Sequence, residues 1–188
     1  MPNQKQKDLH RQSQGYLNRQ QGANFEKYIE NSLWYCRNIA ELDKTPEPIK
    51  LISTPNYKGQ FQACFIKKAQ PDYKGTILGG RSMIFEAKHT TTDRLLQGVV
   101  TEEQAQKLEK HHTLGAICFI IVGFNMRHFF RVPWVIWQDM KQHYGHKYVT
   151  PDDLIPYQLK TGRRGELLIL EHILEDYPDI KPIDPRED

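Results

Sequence analysis

A chain of 188 residues that is 38% apolar and 11% aromatic can bury one substantial core, which excludes a disordered protein. Its formal net charge is only +3. The distribution is uneven, with Lys5, Lys7, Arg11 and Arg19 near the start and seven carboxylates among residues 171–188, and a basic body with an acidic tail suits a polyanionic ligand.

Cys36, Cys64 and Cys118 are odd in number and widely spaced, which excludes a disulfide scaffold or zinc ribbon and suits a reducing compartment. All three sit in apolar stretches and read as buried structural cysteines. The polar N-terminus carries no secretory signal, and the longest apolar run, 116–122, is too short to span a bilayer. A soluble, cytoplasmic protein is expected.

Residues 1–21, rich in Gln, Lys, Arg and Asn, read as a flexible basic arm able to track phosphates. Asn24 can cap a helix carrying the stripe Phe25, Ile29, Leu33, Cys36 and Ala40. Glu26 and Glu30 suit its first turn. The prolines of Lys44-Thr45-Pro46-Glu47-Pro48 end it. Strands at 49–53 and 61–67 then form a lysine-rich hairpin.

The next stretch concentrates the chemistry. Asp72 precedes a strand near 76–78, the Gly79-Gly80 turn follows, and Met83 to Lys88 forms a second strand. In a strand, Glu86 and Lys88 share one face while Phe85 and Ala87 take the other. Two carboxylates converging with a lysine can hold a divalent cation and position a water against a phosphodiester. A salt-bridged surface hairpin would show the same Glu-x-Lys spacing.

Thr90 to Gly98 reads as a mobile loop. Thr101-Glu102-Glu103-Gln104 is a capping box opening a helix that ends by Gly115. His111-His112 lacks the helical spacing of a metal pair. Residues 116–122 form a strand buried on both faces, 129–132 its antiparallel neighbour, and Pro133 starts a helix in which Trp134 and Trp137 suit core or dimer packing. Thr150 to Asp153 resembles a helix cap, and 167–170 a last short strand behind the basic turn Lys160 to Gly165. The order implies an α/β domain with a mixed central sheet flanked by helices.

Taken together, Asn18-Arg19, Gly22 to Glu26, the Pro46–Pro48 pair, Asp72-Tyr73-x-Gly75, Phe85-Glu86-Ala87-Lys88, Gln104 and Leu114-Gly115-Ala116-Ile117 resemble RecU-type Holliday-junction resolvases of the PD-(D/E)xK nuclease superfamily. The resemblance spans roughly 18–155. It implies a restriction-endonuclease-like fold with a protruding β-hairpin stalk at about 50–68, a nuclease domain over 22–170 and a loose acidic tail over 171–188. It also implies a homodimeric, magnesium-dependent endonuclease that nicks four-way DNA junctions symmetrically in recombination and repair, leaving 5′-phosphate and 3′-hydroxyl ends. Manganese is expected to substitute for magnesium, recombination proteins are further partners, and the enzyme is expected at the nucleoid.

Carried over by position, Asp72 and Glu86 bind the metal, Gln104 is a further metal and site residue, and Lys88 is the catalytic lysine. Arg19, Lys58, Lys67, Lys68, Arg163 and Arg164 are the expected DNA contacts. This sequence departs from the family in three places. Gln70 stands where a threonine is usual, the Asp-to-Glu interval is one residue longer, and the stalk is a few residues shorter. A nuclease cutting flaps or linear duplex would share the catalytic residues. A non-catalytic DNA-binding or strand-annealing protein would need them degraded.

Overall fold

The computed structural model describes residues 4–65 and 70–173, the side chains of 4–16, 18 and 19 excepted. A mixed five-stranded sheet forms its centre. The strands β1 (Ala40–Lys44), β4 (Tyr73–Ile77), β5 (Ser82–Thr90), β7 (Ile117–Phe124) and β8 (His128–Pro133) lie side by side in the order β1-β4-β5-β7-β8. Only β5 and β7 run parallel, and the crossover between them carries helix α2 (Glu102–Thr113), since parallel neighbours need a long connection. Helix α1 (Gln4–Leu33) covers one face. The helices α2, α3 (Trp134–Gln138) and α4 (Met140–Tyr144) cover the other. Among the described residues no helix is long and apolar enough to cross a membrane.

The face under α1 is pinned by an aromatic ladder. Tyr73, Phe85 and Phe119 are direct neighbours across three strands, with centroid separations of 4.6 and 4.8 Å and nearly parallel rings. A one-residue slip of any of these strands would throw its ring to the other face. The ladder therefore fixes which residue meets which: with Tyr73 opposite Phe85, Asp72 falls beside Glu86.

Gly75 serves the same register. It pairs with Leu42, and a β-carbon there would collide with the backbone carbonyl of Glu41. Gly75→Ala is expected to cost about 3 kcal/mol through overpacking, lowering the melting temperature by about 6–12 °C for a domain of this size. A thermal denaturation scan with no measurable shift would show that β1 yields at no cost.

The hairpin expected after Pro48 is present as β2 (Ile49–Leu51) and β3 (Ala63–Phe65). Every residue from 49 to 65 is exposed, so the hairpin stands off the body. Cys64 is exposed with it, against the expectation of burial, whereas Cys36 and Cys118 are buried.

Several boundaries differ from the sequence reading. Helix α1 begins at Gln4, not Asn24; the polar sequence of its first half has no apolar periodicity to announce it. The Phe25-to-Ala40 stripe is buried throughout, yet the helix stops at Leu33. Cys36 lies in a 3-10 turn and Ala40 opens β1, which the sequence did not disclose. The loop expected over 90–98 holds β6 (Leu95–Leu96), paired with β9 (Tyr148–Val149); its anchor is Leu95, which is buried.

Thr150 and Asp153 exchange side-chain hydrogen bonds as a cap would, but they close a turn. A 3-10 helix at Ile155–Tyr157 follows, with Pro156 unable to donate. Residues 167–170 form no strand: Leu167 makes a single antiparallel bridge to Thr161, and a turn begins at Ile169. Arg131, itself buried, donates from Nη1 to the carbonyls of Ile169 (2.6 Å) and Glu171 (2.9 Å), replacing a ladder.

Candidate active site

Three elements converge on one point of the sheet, on the face covered by α2. The residue before β4 contributes Asp72, the middle of β5 contributes Glu86 and Lys88, and the N-terminus of α2 contributes Gln104. Lys88 Nζ donates to Glu86 Oε2 at 2.6 Å and lies 3.4 Å from Asp72 Oδ2. The strand alternation expected of Glu86 and Lys88 holds: the two side chains meet on one face as an ion pair.

Each member is fixed by a second contact. The backbone N–H of Ala87 donates to Asp72 Oδ2 at 3.0 Å. Gln104 Nε2 donates to Glu86 Oε2 at 2.6 Å, and Gln104 Oε1 accepts the Thr101 backbone N–H at 3.1 Å. The capping box that starts α2 therefore also holds a site carboxylate in place, coupling helix initiation to site geometry. In this arrangement Gln104 presents its amide nitrogen to Glu86 while its oxygen is engaged by the cap.

Burial sets the electrostatics. The Glu86 side chain is fully buried and that of Lys88 only 17% exposed. Desolvation pushes the Glu86 carboxyl up to about 8, with Lys88 pulling it down and Asp72 adding to the rise. Burial also works against the Lys88 ammonium, but the two carboxylates outweigh it and its pKa is raised. The lysine therefore stays charged while Glu86 is poised near neutrality.

Among the described residues no group of three or more His, Cys, Asp or Glu could hold a metal. Two carboxylates still fit a magnesium-like ion, which keeps several waters and takes one or two carboxylates plus substrate phosphate. Glu86 Oε1 is buried without a hydrogen-bond partner, an oxygen left available beside Asp72 for such an ion.

The expected DNA contacts do not gather there. Lys58 sits at the tip of the exposed hairpin, where Asn56 Oδ1 accepts from the backbone N–H groups of Lys58 and Gln60. Arg163 and Arg164 are exposed on a turn against the C-terminal part of α1, with Arg164 over the Tyr35 ring. That part of α1 leads to the Ala40 end of β1, which pairs with Ile77, away from Asp72. The Arg19 side chain and Lys67 and Lys68 lie outside the described residues. Gln70 is exposed. Sequence reasoning missed Lys44, which pairs with Glu26 (2.8 Å) and Glu30 (3.2 Å) at the Tyr73 end of β1. No short-range signal links these residues, because β1 brings them together only in the fold.

The family model described as "Recombination protein U" matches residues 20–173. Among solved structures, that of Archaeoglobus fulgidus Hjc, described as a Holliday junction resolvase from an archaeal hyperthermophile, is similar with a TM-score of 0.46 at 12% identity, covering 72% of this chain and 93% of that one. No curated protein matches the chain.

Proposed function

The chain belongs to the RecU family of Holliday-junction resolvases, and from this premise we propose that it is a magnesium-dependent endonuclease that nicks opposed strands of a four-way DNA junction as a homodimer. The observation that carries the reading is the convergence of Asp72, Glu86 and Lys88, two carboxylates and a charged lysine with Glu86 Oε1 unpartnered.

In the proposed reaction Asp72 and Glu86 hold the divalent ion through their oxygens. When bound, the ion polarises the scissile phosphate and acidifies the attacking water. Ala87 N–H keeps Asp72 turned inward, and Gln104 does the same for Glu86, so the pair is set before substrate arrives. Gln104 would become an ion ligand only by turning its amide oxygen away from the Thr101 cap. Lys88 supplies positive charge where the phosphoryl oxygens gain negative charge, an electrostatic contribution realised mainly in the transition state.

Junction choice is assigned to shape. The hairpin standing off the body, with Lys58 at its tip, suits contact with the open centre of a branched molecule, and a two-fold dimer would present one site to each of two opposed strands. The test is cleavage of a labelled four-way junction, a flap and a linear duplex of the same sequence, with and without magnesium. Paired nicks in the junction, dependent on the ion and at least tenfold faster than on the other substrates, are expected. Equal cutting of all three would transfer the activity to a general duplex nuclease.

A further inference from the structure

A column of aromatic and cationic side chains on the β6–β9 ribbon plays no part in the chemistry above. In the β6–β9 ribbon, Leu95 lies opposite Val149 and Leu96 opposite Tyr148. Leu95 and Val149 are buried in the core under α2 and α3, so alternation turns Leu96 and Tyr148 outward; Leu96 is 58% exposed. On the outward side Tyr148 lies flat on His146, with centroids 3.8 Å and planes 6° apart. His146 stacks in turn toward Tyr144 at 6.4 Å. The Arg94 guanidinium also stands over the Tyr148 ring, 5.6 Å from its centroid. Arg37 over Trp34, by comparison, is closed to 3.9 Å.

The chain joins the ribbon to the elements that carry the chemistry. Ile84, Glu86 and Lys88 share one face of β5, and Ile84 belongs to the same core as Leu95 and Val149. Arg94 follows Lys88 across the short turn after β5, and β6 leads through the 3-10 turn Gln97–Val99 into the Thr101–Gln104 cap that holds Glu86. The ribbon is thus wired between the lysine and the helix terminus of the site. Arg94, Leu96, His146 and Tyr148, the side chains on its outward face, include no carboxylate.

We infer that Arg94 and Tyr148 form a subsite for the strand being cut, in which a base released from pairing at the branch point stacks on Tyr148 beneath Arg94. This rests on the function proposed above. Bases stack about 3.4 Å apart, so a base held between ring and guanidinium needs about 7 Å. The loose Arg94 cap needs to lift by only about 1–2 Å, which an exposed arginine does readily. Lifted, its guanidinium contacts the base by a cation–π interaction and is free to reach a neighbouring phosphate. His146 backs the ring from below and holds its orientation, because its Nδ1 pairs with the Tyr148 carbonyl at 2.7 Å. Stacking tolerates any base, which suits recognition by branch shape.

The experiment uses a four-way junction with 2-aminopurine beside the branch point, bound in magnesium by the uncut-complex variant Lys88→Ala. Binding is expected to change the emission of the base analogue. In that background Tyr148→Leu abolishes most of the change and weakens junction binding about tenfold, while Tyr148→Phe retains both. Arg94→Ala, a change at an exposed residue that leaves the ring in place, weakens binding about threefold and reduces the emission change; it decides the matter if Tyr148→Leu does not fold. Emission and affinity unaltered in the folded variants would overturn the subsite, while wild-type cutting of the same junction keeps the resolvase reading. Failure of the wild-type protein to bind or cut any junction overturns both.

Discussion

Replacing Lys88 with alanine is expected to lower single-turnover cleavage of a four-way junction about 10²–10³-fold while changing junction affinity less than about threefold. The magnitude is that of removing one fixed electrostatic group from a water-poor site. The separation of turnover from binding follows from where the ammonium lies. Its side chain is 17% exposed and directed at Glu86 and Asp72, so it is poorly placed to hold distant DNA phosphates and well placed for charge that develops at the scissile one. Loss from kcat with little change in Kd is the signature of an interaction made in the transition state. Equal losses in binding and turnover would instead make Lys88 a DNA-docking residue, and near wild-type cleavage would remove it from the chemistry.

The second large effect is expected at Glu86, where cleavage and stability should respond in different ways. Glu86→Gln keeps the side chain's size but removes the charge that holds a cation, so cleavage is expected to fall at least about 10³-fold at any magnesium concentration. For stability the sign follows from the raised carboxyl, about 8 in the folded protein against an ordinary value of 4.5. The folded state binds this proton more tightly than the unfolded chain does. The stabilising contribution is therefore complete below about pH 4.5, declines as pH rises and is gone above about pH 8.

Glutamine has no such proton. The difference in urea midpoint between variant and wild type, measured without divalent ions, is thus expected to move in the variant's favour between pH 5 and pH 8. Magnesium at pH 8 should stabilise the wild type by binding the folded state and leave Glu86→Gln unmoved. A difference flat with pH would mean that Glu86 titrates as an ordinary exposed carboxylate. Stabilisation of the variant by magnesium would place the ion elsewhere.

Both predictions depend on a site whose parts were unequally visible. Glu86 and Lys88 were legible together because strand alternation is a local rule and β5 obeys it. The α2 cap was legible for the same reason: Thr101 and Gln104 are three residues apart, and the capping box closes within one turn. That Gln104 also grips Glu86 was not legible from the box itself. Its side chain had to be carried across from α2 to β5, which only packing does.

The extent of α1 shows the opposite limit. The sequence of its first half carries no apolar stripe, so hydrophobic periodicity gives no sign of it. The stripe from Phe25 to Ala40 was read correctly as buried and wrongly as one helix, because spacing that fits a helix also fits a helix, a 3-10 turn and the first residue of a strand when all pack under the same sheet. The aromatic column at Tyr148 was invisible for a related reason. Arg94 and Tyr148 are far apart in sequence, and two-residue strands such as β6 and β9 are too short to leave a pattern.

By itself the sequence determined the central strands other than β1, the face shared by Glu86 and Lys88 and the cap of α2, all of them properties of neighbours within a few residues, and, through the order of its motifs, the family. Tertiary structure alone decided that Asp72 lies beside Glu86, that burial raises the Glu86 carboxyl, and that Arg163 and Arg164 stand apart from the site. The physical reason is register: the Tyr73–Phe85–Phe119 ladder selects one alignment of three strands, and that long-range alignment sets the distance between charges that no local rule connects.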